Sequence, residues 1–388
     1  MIDKIKHIIK TNPWLGFFLF IQVVILVWGG VVFDLFSPIE PAFDPDLINE
    51  YQLQIVPGWE GSRFLQWLLG SWFRWDNTWF MRIAIEGYQP VDGRLTFAPV
   101  YPFLVGSLGR MIGGQYLLAG LLVSSISLLG ACFLLYEEFQ RLTDNDTAER
   151  GLRYLLHFPT AFFLFGGYTE SLFLLLLLLT WRAARKEAWI QAGVWGALLV
   201  LTRFLGGVIG LPLAYLWWRT QRKNKIKAAL SLSLIPLAFV GWNLLAKWQY
   251  GRFVWEEIDN VWKLHTYWSF AGMWNNLKEI LAHKMLSAHL YADLFLAVLF
   301  ITLTVIAFRK LPVEYGLLMV GLLAISVLKV TNYGLLESVS RYVLPIFPGF
   351  LVLADWGKNR WFHRVWTVLT LALLLLLASI FFTWGWVA

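Results

Sequence analysis

Cysteine, histidine and charge are scarce in this sequence: one Cys, six His and 15% charged residues among 388. The lone thiol, Cys132, lies inside an apolar stretch, so neither a disulfide framework nor a multi-cysteine metal site can be built. His265, His283 and His289 stand too far apart to form a paired zinc motif, and a P-loop, a G-x-S-x-G elbow and a dinucleotide fingerprint are all missing. A metal could be held only through carboxylates such as Asp76 and Glu170, and none is expected. A soluble domain carries roughly 25% charged residues, so the charge deficit alone argues against that class.

What fills the sequence instead is hydrocarbon: 58% of residues are hydrophobic and the mean hydropathy is +0.60. Runs such as "FFLFIQVVILVWGGVVF" and "VWTVLTLALLLLLASIFFTWGW" recur along the chain. Each is about long enough to cross a ~30 Å hydrocarbon core. The expectation is an all-α, polytopic integral membrane protein, 1–388 forming a single membrane-embedded domain in contact with membrane lipids. The first run follows Lys4, Lys6 and Lys10 and is too long for a signal-peptide core, so it reads as a retained span. The net charge of +7 sits in short basic clusters between apolar runs, as the positive-inside rule expects, and implies no nucleic-acid partner.

Those clusters orient the chain. Arg182, Arg185 and Lys186, then Arg219 to Lys227, Arg309 and Lys310, and Lys358 to Arg364 belong with the N-terminus in the cytoplasm. Residues 37–96 carry mostly acidic charge and belong outside, so a large external first loop extends over about 37–114. The segment "FAPVYPFLVGSLGRMIGG" is apolar but short and broken by Pro99, Pro102 and glycines. As a full span it would put "TWRAARK" in the cytoplasm only if 152–181 crossed as one helix or re-entered; as an external half-helix it lets every basic cluster fall on one side. Crossings over 115–136, 152–167, 168–184, 188–203, 204–218, 228–247, 289–308, 313–330, 339–355 and 363–385 then follow, about eleven with the first. A second external loop, about 248–288, is rich in Trp and Tyr, which suits a bilayer interface. Phe64, Trp67, Leu68, Ser71, Trp72, Trp75, Trp79 and Ile83 recur at three- and four-residue spacing and predict one amphipathic interfacial helix beside Asp76.

In this topology Arg74, Asp76, Arg82, Glu86, Glu170, Arg203, Glu337 and Arg341 collect at the external face, the way separate loops assemble a site in a helical membrane enzyme. Asp76 reads either as a general base or as a helix cap. Glu170 reads as a site residue or as the acidic start of a helix. Arg203 reads as a phosphate ligand or as a snorkelling cation. Arg341 reads as a bidentate phosphate ligand or as the i,i+4 partner of Glu337.

"RWDNTWFMRIAIEGYQ" followed by "LTFAPVYPFLVGSLGR" resembles the PIG-V-like mannosyltransferases, which share a W-D-x-x-x-[FY]-x-x-I-A-x-x-G-Y pattern and then F-x-P-x-[YF]-P. "HFPTAFFLFGGYTESLF" and "GALLVLTRFLGG" are similar to further segments of that family, and "SRYVLPIFP" is a weaker echo. The motifs cover roughly residues 62 to 210. The resemblance implies a GT-C-like, inverting membrane enzyme without a metal cofactor. It would move mannose from a polyprenyl-phosphate donor to a lipid-linked or glycan acceptor on the external or lumenal face. It places the catalytic base at Asp76. Arg74, Trp75, Trp79, Glu86, Tyr88, Tyr101, Tyr168, Glu170, Arg203, Arg341 and Tyr342 fall in the matching segments as candidate substrate contacts. Trp79 departs from the histidine usual in eukaryotic members, which unsettles the acceptor contacts. A lipid or glycan flippase is the rival class; against it stand the missing inverted repeat and the polar residues gathered at one face.

Overall fold

A computed structural model describes residues 12–36, 62–90, 92–220, 222–262, 288–328 and 338–387, with short pieces at 282, 330–331 and 334–335. In chain order its helices are α1 (Trp14–Leu35), α2 (Arg63–Leu69), α3 (Asp76–Glu86), α4 (Val100–Met111), α5 (Tyr116–Leu142), α6 (Asn145–Leu156), α7 (Phe162–Phe165) and α8 (Glu170–Arg185). They continue as α9 (Trp189–Val200), α10 (Gly210–Arg219), α11 (Arg222–Leu232), α12 (Leu234–Tyr250), α13 (Val254–Trp262), α14 (Ala288–Lys310), α15 (Val313–Leu328), α16 (Val339–Tyr342), α17 (Phe347–Trp356) and α18 (Arg360–Phe382). Short 3-10 turns lie at Arg94–Thr96 and Phe204–Ile209, and β1 (Val330–Thr331) pairs antiparallel with β2 (Gly334–Leu335). The protein is an all-α, multi-pass membrane protein. Five long apolar helices among the described residues can each cross a bilayer: Trp14–Leu35, Tyr116–Leu142, Lys225–Tyr250, Tyr291–Lys310 and Arg360–Phe382.

Several expected crossings are built from shorter pieces. The stretch 152–167 is not one helix: α6 stops at Leu156, Pro159 follows, and α7 is a single turn before Gly166 and Gly167. Proline removes a ladder donor and glycine favours open backbone, so this "HFPTAFFLFGG" segment folds as turns. The run 339–355 breaks in the same way between α16 and α17, at Pro345. Helix α4 has 12 residues, about 18 Å of rise, which is too short to span the hydrocarbon core. The single interfacial helix expected through Phe64–Ile83 is also two helices, because Gly70 to Trp75 turn between α2 and α3.

Two compact units divide the chain. The first takes in the described residues up to Thr78, Gly109–Ser171 and Gly349–Val387. In it α1 is fixed to α18 by the Trp28 indole, which donates to Ser379 Oγ at 2.9 Å and to the Leu375 carbonyl at 3.1 Å. Gln22 on α1 donates to Ser125 on α5 at 2.8 Å, and Arg150 on α6 donates to the Ala354 carbonyl at 2.9 Å. Asp144 caps α6, accepting from the Thr147 amide at 2.8 Å, and those hydrogen bonds hold its carboxyl down at about 2. Asp144→Ala should therefore lower unfolding stability by about 1 kcal/mol near neutral pH, measured by thermal unfolding in detergent. Because the folded-state value is depressed, the cap contributes above the ordinary carboxylate range and is lost as pH falls through about 2.

The second unit takes in Trp79–Leu108 and Leu172–Pro348. Here α9 packs on α11 and α12, α14 on α15, and α10 on α15. Gly193 lets α9 meet the backbone of α11 directly: any side chain there would collide with the Ser231 carbonyl. Trp181 and Tyr315 pack edge to face at 5.0 Å, and Arg185 donates to the Tyr315 hydroxyl at 3.0 Å.

Candidate active site

In the first unit the W-D pair sits at a sharp change of chain direction. Trp75 has φ of 50°, a left-handed conformation that a bulky aromatic adopts only at a cost of about 1–3 kcal/mol. Its ring is held by Trp384 at 5.8 Å and Trp386 at 5.0 Å. Asp76 comes next as the first residue of α3, half-buried, with its carboxylate where acidic side chains favour the positive helix end. Arg74, expected to touch substrate, is buried and gives its guanidinium to three carbonyls: Phe382 at 2.9 Å, Gly70 at 2.8 Å and Phe73 at 2.9 Å. It also lies 4.8 Å from the Trp384 ring. Burial pushes that guanidinium down to about 9, still protonated at neutral pH.

Glu170 stands at the equivalent place on its own element, as the buried first residue of α8. The turns before it are tied to the W-D segment twice within this unit. The Asn77 side chain donates to the Gly167 carbonyl at 2.8 Å, and the Tyr168 hydroxyl donates to the Arg74 carbonyl at 2.8 Å. Ser124 on α5 donates to the Tyr168 carbonyl at 2.9 Å, fixing the same turn from behind. Two acidic helix starts, Asp76 and Glu170, thus have leading segments held together by direct hydrogen bonds. The sequence reading passed over Asn77, which is fully buried; its only sequence signal is an amide directly after the acidic residue. Asn77→Ala should cost about 1–3 kcal/mol by leaving the Gly167 carbonyl unsatisfied. An unchanged unfolding temperature in detergent would contradict that role.

The remaining loop-one candidates belong to the second unit and are organised by Arg94, which none of the sequence motifs singles out. Arg94 is buried and reaches Glu86 at 2.8 Å, Asp92 at 2.5 Å and the Gly87 carbonyl at 2.9 Å. Arg82 adds a 3.5 Å contact to Glu86. Gly93, at φ 91°, makes the left-handed turn that closes this knot, and its amide donates to Glu257 of α13 at 3.0 Å. Tyr88 donates to the Phe97 carbonyl at 2.9 Å and packs on Trp242 at 5.0 Å; burial pushes its hydroxyl above the usual range. Trp79 stacks on Phe97 at 5.9 Å, and Tyr101 is fully buried against Phe80.

Arg203, Arg341 and Tyr342 also lie in the second unit. The Arg203 guanidinium is 5.1 Å from the Tyr342 ring, and Arg341 is buried in the single turn α16. That turn starts from Ser338 at φ 68° and is anchored by Asp293, whose carboxylate accepts from the Ser340 amide at 2.7 Å. Glu337, the expected alternative partner of Arg341, lies outside the described residues, as do His265 and His283. Among the described residues no group of three or more His, Cys, Asp or Glu side chains is placed to hold a metal ion.

No family model matches the sequence. No curated protein matches it either. Solved structures align along most of the chain at low identity. ArnT from Cupriavidus metallidurans bound to undecaprenyl phosphate aligns over 96% of this chain and 76% of its own, at 13% identity and a TM-score of 0.49. The Archaeoglobus fulgidus oligosaccharyltransferase AglB, in complex with an inhibitory peptide and a dolichol-phosphate, aligns over 97% of this chain and 55% of its own, at 13% identity and 0.43. The same archaeal enzyme in complex with Zn and sulfate gives 15% identity, 93% and 53% coverage, and 0.45. This chain therefore spans about half the length of the archaeal enzyme.

Proposed function

We propose that this protein is a GT-C-like membrane glycosyltransferase that moves mannose from a polyprenyl-phosphate donor to a lipid-linked or glycan acceptor on the external or lumenal face. The observation that carries this reading is the pair of acidic helix starts, Asp76 and Glu170, with leading segments tied by Asn77 to Gly167 and Tyr168 to Arg74. Both fall in the segments that resemble the PIG-V-like mannosyltransferases. Asp76 accepts the proton of an acceptor hydroxyl, whose oxygen attacks the anomeric carbon of the β-linked donor. The bond from that carbon to the phosphate oxygen breaks, an α-mannoside forms with inversion, and polyprenyl phosphate leaves with the electron pair. A cation aimed at the developing phosphate charge lowers the barrier most, and the candidates expected from the sequence, Arg341 and Arg203, belong to the second unit.

Incubating the purified protein with radiolabelled polyprenyl-phosphate mannose and membrane lipid or glycan acceptors tests the reading. Label moving to an acceptor is the expected result. Label crossing a liposome bilayer without bond transfer would replace the enzyme with a flippase.

A further inference from the structure

In the second unit a cavity of about 660 Å³ opens between the 3-10 turn Phe204–Ile209, α10, α11 and α12. Its walls are almost wholly apolar, including Leu213, Trp217, Ile235 and Phe239, with Ala214 and Ala229 leaving the space open. Along α10 it runs from Gly210 to Trp217, about 10 Å of helix. The character of the surface changes at the Trp217 end. Lys225 places its ammonium 5.7 Å from the Trp217 ring, and the Trp217 indole donates to the Lys225 carbonyl at 2.9 Å. Arg219, whose guanidinium lies 5.8 Å from the Tyr215 ring, and Lys227 are exposed two residues along the chain from Trp217 and Lys225, next to Trp218, 68% exposed, and Ile226, 76% exposed. An apolar slot thus ends at an indole and the Lys225 ammonium, with Arg219 and Lys227 exposed two residues further along their chain segments.

We infer that this is a binding site for an anionic glycerophospholipid, one acyl chain occupying the slot and the phosphodiester resting at Lys225, with the neighbouring exposed Arg219 and Lys227 adding positive potential at that end. The apolar walls select a hydrocarbon chain, and the cations at one end select a negatively charged headgroup over a zwitterionic one. Basic pockets between membrane helices recognise anionic headgroups on this basis. The indole of Trp217 sits at the junction, where its ring packs on hydrocarbon while its N–H stays polar. The lipid acts here as a structural ligand of α10 to α12 and takes no part in sugar transfer, so this inference stands whether or not the proposed reaction is correct.

Native mass spectrometry of the purified full chain, titrated with phosphatidylglycerol and separately with phosphatidylcholine, tests the inference. Each cation contributes about fivefold near a membrane surface, so the combined Arg219→Gln, Lys225→Gln, Lys227→Gln variant should bind phosphatidylglycerol on the order of 100-fold more weakly. Its phosphatidylcholine binding should be unchanged, which also shows that the variant is folded. The slot-filling variant Ala214→Phe should weaken phosphatidylglycerol binding with all three cations intact, and soluble glycerol phosphate should not compete. Equal affinity of the wild-type chain for the two lipids, full phosphatidylglycerol binding by either variant, or competition by glycerol phosphate would overturn the assignment.

Discussion

Replacing Asp76 with asparagine is expected to lower turnover by about 10²- to 10⁴-fold, the usual contribution of a positioned general base. The substitution keeps the size of the side chain and leaves a residue that also starts helices well, so α3 and the Trp75 turn should persist. Stability in detergent should match wild type. The loss should fall on kcat, because the carboxylate acts on a proton that moves only as the new bond forms. Asparagine can still hydrogen-bond the acceptor hydroxyl, so KM should change little. Near wild-type transfer by Asp76→Asn would remove the base assignment and return Asp76 to its alternative reading as a helix start. Glu170→Gln is the informative companion. Its position on the hydrogen-bonded partner segment predicts a fall in activity without unfolding.

The second large effect is on stability. Arg94→Ala should destabilise the protein by about 3 kcal/mol, the lower end of what breaking a buried ion pair costs, because its carboxylate partners are partly hydrated. Removing the guanidinium takes from Asp92 and Glu86 their shortest ion pairs and from the Gly87 carbonyl a donor, while Arg82 keeps longer contacts to both carboxylates and the residue-94 amide still reaches Asp92. Arg94→Lys should recover part of the loss, since an ammonium retains the charge but cannot reproduce the fork across Asp92, Glu86 and Gly87. Thermal unfolding of the three proteins in one detergent measures the order. Arg94→Ala melting with wild type would mean that the knot is decorative.

How far the sequence could be read follows from what each signal measures. Long apolar runs report burial in hydrocarbon, and where no proline interrupts them, as in α1, α5 and α18, the helices follow directly. The shortness of the helix within 97–114 was legible for the same reason in reverse: prolines and glycines in a short apolar run announce a helix too short to cross, and α4 is one. The span through 152–167 was misread because hydropathy cannot distinguish a crossing helix from buried turns. "HFPTAFFLFGG" is as apolar as a span, but Pro159 and the paired glycines withdraw the backbone regularity that a span needs.

The candidate site was legible in residue type and not in conformation. The stripe from Phe64 to Ile83 keeps helical spacing straight through residues 70–75, so periodicity predicted one helix where there are two. What interrupts it is Arg74, whose guanidinium gathers carbonyls from Gly70, Phe73 and the distant Phe382. A contact over 308 residues of sequence leaves no local trace. The interruption changes the meaning of Asp76, which opens a helix instead of riding on the side of one. Arg94 was overlooked for a related reason, because its partners at Glu86 and Asp92 match no helical spacing and meet only when Gly93 turns left-handed.

The most direct test of the central claim is an experimental structure of the full chain with a polyprenyl-phosphonate analogue of the mannose donor, which cannot transfer its sugar. The account predicts density for the sugar at the Asp76 end of α3, with space between the anomeric carbon and the carboxylate for an acceptor hydroxyl about 3 Å from the latter. Donor density lodged elsewhere, with Asp76 turned away from the sugar, would contradict it.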